Sequence, residues 1–124
     1  MRPDPKPRKY KITPIAKPRQ TRADVWKKRP CVLRYRAFAD QVRAMGLVVP
    51  ESGARITFIL PMPRSWSKAK REMMRSTPHQ QKPDIDNRCK ALLDALYEDD
   101  SVVWEISLCK VWGDEGAIVI GEEA

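Results

Sequence analysis

The chain has 124 residues, enough for one domain that needs neither a disulfide nor a structural metal to fold. Its net charge is +8, and the charge is lopsided: residues 1–36 hold 13 Lys and Arg against 2 acids, whereas residues 91–124 hold 1 against 9. Three cysteines without a C-x-x-C pair and a single histidine, His79, exclude a zinc finger; no run approaches the ~18 apolar residues of a membrane span.

Residues 1–9, Pro-rich and basic, lack the apolar partners that build a core and are expected to form a flexible arm, leaving residues 10–124 as the domain. Nothing in this opening resembles the apolar centre of a signal peptide, so an intracellular, cytoplasmic protein is expected. A short strand can start at Tyr10. Residues 14–30 then read as an extended basic loop in which Lys17, Arg19, Arg22, Lys27 and Lys28 surround Trp26.

Tyr35, Phe38, Val42 and Met45 recur at three- and four-residue spacing, which predicts a core-facing helix over 32–45, stopped by Gly46. Residues 55–60 alternate and are β-branched or aromatic, predicting a strand that Pro61 and Pro63 end. A second basic segment follows, with Arg64, Lys68, Lys70 and Arg71 around Trp66 and a short helix through Met74. It suits phosphate contact and equally suits a solvated loop. Either tryptophan can stack on bases or serve a core or an interface.

The second clear helix is predicted over 86–96, with Cys89, Leu92, Leu93 and Leu96 on one face and Asp86, Asn87, Lys90 and Asp94 on the other. After the acidic turn Glu98-Asp99-Asp100, strands are predicted over 102–111 and 117–120, joined by Gly113-Asp114-Glu115-Gly116. The sum is an α+β domain with two main helices and a small mixed sheet.

Asp84 and Asp86 straddle Ile85 at the helix start, just after Pro83, which is expected to keep Lys82 extended. Two readings stand. Acids here can cap backbone N–H groups and meet the positive end of the helix dipole. Alternatively, they can hold Mg²⁺, which prefers oxygen ligands and takes phosphate oxygens in its remaining positions. Lys90, four residues from Asp86 and from Asp94, likewise fits a plain i,i+4 ion-pair ladder.

The run Lys82-Pro83-Asp84-Ile85-Asp86-Asn87-Arg88-Cys89-Lys90, followed by Asp94-Ala95-Leu96 and Glu98-Asp99-Asp100-Ser101, resembles the signature of RusA-type Holliday-junction resolvases. That resemblance is densest over residues 82–110. It implies a homodimeric, metal-dependent endonuclease acting on four-way DNA, with Asp84, Asp86 and Asp100 holding Mg²⁺, for which Mn²⁺ can substitute, and with Lys90 required for activity. Asn87 would orient a carboxylate or a water, or cap the helix. Asp99, whose side chain should diverge from that of Asp100, is left outside the set.

On this reading Lys90 acts by its fixed charge, and the basic segments hold the junction arms by backbone contact. A role in DNA recombination and repair follows, and a phage or prophage source is compatible with it. A non-catalytic DNA-binding regulator of the same fold, a metal-dependent nuclease for other branched nucleic acids, and a structural nucleic-acid binder are the alternatives. One difficulty is geometric. A helix of about ten residues is roughly 15 Å long, so Asp100 joins the acids at its head only if the chain doubles back or a partner subunit contributes.

Overall fold

A computed structural model describes residues 7–18 and 30–122 of the chain. The first long helix, α1 (Pro30–Ala44), opens on a proline, whose missing N–H costs nothing in a first turn. It closes as a Schellman motif: Gly46 N–H donates to Arg43 O (3.1 Å) and Leu47 N–H to Val42 O (3.2 Å), with Gly46 at φ +70°. Val32, Phe38, Ala39 and Val42 form its buried stripe. The helix therefore runs two residues further back than the hydrophobic spacing marks, because the proline initiates it.

Strand β1 is Arg8–Tyr10, β2 is Ala54–Pro61, β3 is Ile106–Gly113 and β4 is Ala117–Glu122. They form a mixed sheet in the order β1-β4-β2-β3. β2 runs parallel to β3, with Phe58 opposite Lys110, and antiparallel to β4, with Phe58 opposite Ile118. Along β2, Ala54, Ile56, Phe58 and Leu60 are buried while Arg55 and Pro61 are exposed. The buried face packs beneath α1 and a second long helix, α3 (Ile85–Leu96), in one cluster with Phe38, Val42, Leu92, Ile118 and Trp112. Phe58 and Ile56 are wholly enclosed, each contributing about 1.5–3 kcal/mol of transfer free energy. Between β2 and α3 lies the short helix α2 (Lys68–Met74), capped by Ser67, whose hydroxyl accepts from Lys70 N–H at 3.1 Å.

Several boundaries differ from the sequence expectation. The sheet begins at Arg8, inside the stretch expected to be a loose arm, because Arg8 pairs with Ile120 and Lys9 with Val119; residues 1–6 lie outside the described residues. Residues 102–105 are not strand: Asp100–Val102 is a 3-10 turn, and β3 starts at Ile106. The Gly113-to-Gly116 link does not make a hairpin, since β3 and β4 lie on opposite sides of β2. The chain instead crosses the end of β2, where Met62 N–H donates to Gly113 O at 3.0 Å. A Cβ on Gly113 would stand 2.3 Å from Ile59 Cγ2, and one on Gly116 2.6 Å from Thr13 Cα. That crowding is the physical reason for glycine at both ends of the link.

Candidate active site

The site begins where β3 meets the bend before α3. Residues 81–83 bend rather than extend, the Lys82–Pro83 peptide bond being cis, and Lys110 of β3 draws two carbonyls together: its Nζ donates to Gln81 O at 2.6 Å and to Pro83 O at 3.0 Å. Asp84 follows as the N-cap residue, with extended backbone (φ −64°, ψ 154°), and its carbonyl takes the first helical hydrogen bond from Arg88 N–H at 3.3 Å. Its carboxylate makes no capping hydrogen bond. Asp86 lies in the first turn, exposed like Asp84. Neither carboxylate has a hydrogen bond or ion pair among the described residues.

One turn further along α3 the polar face is crowded. Lys90 Nζ lies 2.6 Å from Asp100 Oδ2 and 3.2 Å from Asp94 Oδ1. Lys17, far back in the sequence, pairs with the other oxygen of Asp94, and its N–H donates to Asn87 O at 3.4 Å. Asp100 thus returns to the middle of α3 within the same chain. Tyr97 ends the helix, its N–H bonding Leu93 O at 2.8 Å, and the 3-10 turn reverses direction. Asp99 caps that turn, accepting from Ser101 N–H at 3.0 Å, so the two adjacent aspartates do diverge.

These contacts shift the titrations in readable directions. Hydrogen bonds to Asp100 and then Asp94 hold the Lys90 ammonium above its ordinary range. Burial alone would raise the Asp94 carboxyl, but Lys17 and Lys90 outweigh it and hold it below the ordinary carboxylate value. The Cys89 thiol, on the buried side of α3, is pushed up to about 11 by burial and by the negative charges of Asp100 and Asp86. Lys110 is lowered by burial and by Arg88, with Asp84 opposing.

The family comparison covers nearly all of this: the model for the endodeoxyribonuclease RusA family matches residues 9–121. The chain belongs to that family. No curated protein and no solved structure matched it. Membership in the RusA family makes this a nuclease fold acting on DNA. No described helix is long and apolar enough to cross a membrane.

Within this RusA-family chain the expected site residues fall into two groups. Lys90, Asp94 and Asp100 are brought together, with Asn87 half-buried beside them. Asp84 and Asp86 stand at the helix head. Among the described residues no three His, Cys, Asp or Glu side chains gather as a ready metal cage; Asp100 is occupied by an ammonium instead. Asp84 and Asp86 remain exposed at the helix head, and carboxylates of this kind are the ligands Mg²⁺ prefers, one or two at a time with water and phosphate oxygens filling the rest.

The basic residues divide as well. Arg64, Lys68 and Lys70 are exposed, although Lys70 lies over the Trp66 ring at 4.4 Å. Arg71 is spent on the fold, donating to Pro63 O (3.0 Å) and Trp66 O (3.3 Å), and Lys17 is spent on Asp94. Trp66 is half-buried against Trp112, ring centroids 4.8 Å apart. Arg19, Arg22, Trp26, Lys27 and Lys28 lie outside the described residues. Sequence reasoning missed two cations. Arg88 is buried (6% exposed) and donates to Pro14 O at 3.1 Å, with no warning in the helical pattern. Lys110 did leave a signal, being the single basic residue of the acidic last third. Trp104, 73% exposed four residues after Asp100, was also passed over.

Proposed function

We propose that this chain is a magnesium-dependent Holliday-junction resolvase that nicks four-way DNA in pairs, as a homodimer, in recombination and repair. The observation that carries the reading is Asp84: it occupies the N-cap position without capping. A carboxylate kept there for helix stability would accept a hydrogen bond from the first turn. This one faces outward with Asp86 beside it, a donor set suited to a hard divalent cation. Mn²⁺ would serve in place of Mg²⁺.

Once bound, the cation would supply polarisation of the scissile phosphate and an activated water. The residues of the chain do the rest. Asp84 and Asp86 hold the cation. Lys90, a fixed positive charge one turn along, faces the phosphate oxygens and offsets charge developed in the transition state. Asp94, itself fixed by Lys17, orients Lys90, and Asp100 shares that ammonium and completes the acidic set when Lys90 turns to phosphate. Asn87 supports the same turn of helix. Arg64, Lys68 and Lys70, with Arg19, Arg22, Lys27 and Lys28, hold the DNA arms through their phosphates.

The test is cleavage of a synthetic four-way junction with and without Mg²⁺. Paired nicks that require the cation are expected; binding without cleavage in its presence would favour a non-catalytic regulator. Because one site per chain must cut two strands, a two-fold dimer is expected by sedimentation, and a monomer that still resolves junctions would contradict it.

A further inference from the structure

We propose that Lys110 is a positioning residue of the nuclease site, setting the direction of the Asp84 carboxylate through the backbone it holds. The inference rests on the reading of Asp84 as a cation ligand and adds a residue from a strand remote from α3 in sequence.

Lys110 is half-buried on the edge strand β3, and its ammonium bridges Gln81 O and Pro83 O. The second bond decides the geometry. The carbonyl of Pro83 and the N and Cα atoms of Asp84 share one peptide plane, so fixing that oxygen fixes the plane from which the Asp84 side chain departs. From the other side, Arg88 N–H holds the Asp84 carbonyl at 3.3 Å. The Asp84 backbone is thus held before and after its Cα, while its side chain is left without a cap. Pro83 has no N–H with which to fix the bend by backbone pairing, and a lysine reaching across from the sheet supplies the missing donors. A lone cation in a segment with nine acids is where such a part belongs.

The experiment compares Lys110→Met and Lys110→Arg with the full wild-type chain in three measurements: Mn²⁺ binding to the protein alone by electron paramagnetic resonance, junction affinity without divalent metal, and single-turnover cleavage. Residues that orient metal ligands commonly change metal affinity by about 10–100-fold. Lys110→Met is expected to weaken Mn²⁺ binding about tenfold and to slow cleavage at least as much, with partial recovery at high Mn²⁺. Junction affinity should stay within about twofold, and Lys110→Arg should recover most of both losses. Charge alone predicts the opposite, since deleting a neighbouring cation would tighten Mn²⁺. In an Asp84→Asn background, Lys110→Met should weaken Mn²⁺ binding no further. Should Lys110→Met fail to fold, Lys110→Gln, which keeps an amide donor but is too short to bridge both carbonyls as the ammonium does, is expected to show the same two losses in smaller measure. Unchanged or tighter Mn²⁺ binding, or full additivity with Asp84→Asn, overturns the proposal. A wild-type chain that neither binds Mn²⁺ nor cuts junctions overturns instead the reading beneath it.

Discussion

Replacing Asp84 with asparagine separates the two explanations for an acid at the head of α3. The structure sets the size of the effect on stability. Asp84 makes no capping hydrogen bond, so among the described residues what is lost is its attraction to the helix N-terminus and to Lys110, about 0.3–1 kcal/mol for an exposed charge. For a chain of this length that corresponds to a fall in Tm of no more than roughly 3–5 °C, and a domain stable by about 5–15 kcal/mol stays folded. The effect on chemistry is expected to be larger. Loss of one of the two carboxylates proposed to hold the cation should slow junction cleavage at least about a hundredfold, equivalent to about 2.7 kcal/mol of transition-state stabilisation. Junction affinity should be unchanged or slightly higher, because a negative charge has gone from the surface proposed to meet DNA. Thermal denaturation, junction binding at fixed salt and single-turnover cleavage measure the three quantities together. Full cleavage by Asp84→Asn at ordinary Mg²⁺ refutes the site; Asp86→Asn and Asp100→Asn should behave like Asp84→Asn, whereas Asp99→Asn, which can still cap the 3-10 turn, should remain largely active.

Changing Arg19, Arg22, Lys27 and Lys28 to alanine should weaken junction binding and flatten its dependence on log salt, by about 0.9 per lost phosphate contact; an unchanged slope assigns those residues elsewhere. Gly116→Ala should destabilise the fold by about 1–3 kcal/mol, since its Cβ would meet the Thr13 backbone at 2.6 Å; a Tm equal to wild type would contradict that packing. Asp94 is a depressed carboxyl, so it contributes stability that is present above its unfolded pKa and lost as pH falls through its lower folded value. The stability gap between wild type and Asp94→Asn should therefore be constant near neutrality and close in acid, below the ordinary carboxylate value; a gap that widens in acid reverses the sign and refutes the Lys17–Asp94–Lys90 network.

Much of this molecule is legible in its residues, and the exceptions have physical causes. Helix α1 and strand β2 declare themselves because burial on one face imposes periods of 3.6 and 2 on Phe38 and Val42, and on Ile56 and Phe58. Helix α3 does so too, and its polar face carries the family signature from Asp84 to Lys90. The sequence pattern fails where long-range contact decides. Val102 and Val103 have the composition of a strand, yet the reversal that returns Asp100 to Lys90 takes them out of the sheet. The Gly113-to-Gly116 link reads as an ordinary turn, because nothing local reports that β2 lies between the strands it joins. Lys17 looks like one more cation of a basic loop until its partner Asp94, 77 residues away, is seen. Lys110 was visible only as an anomaly of charge.

The placement of β2 between β3 and β4 has a consequence for how the chain reaches its fold. No two strands joined by a short loop are hydrogen-bonded to one another in this sheet: β1 waits for β4, and β2 for both β3 and β4. On a ribosome, the N-terminal strand would therefore emerge long before its neighbour exists, and among the described elements the helices α1, α2 and α3, not the strands, could form from nearby residues. Closure must await the last strand, a topology of high sequence separation that folds slowly, on a scale of milliseconds to seconds. During that interval β2, an apolar segment with both edges open, is the part of the nascent chain most in need of protection from other chains.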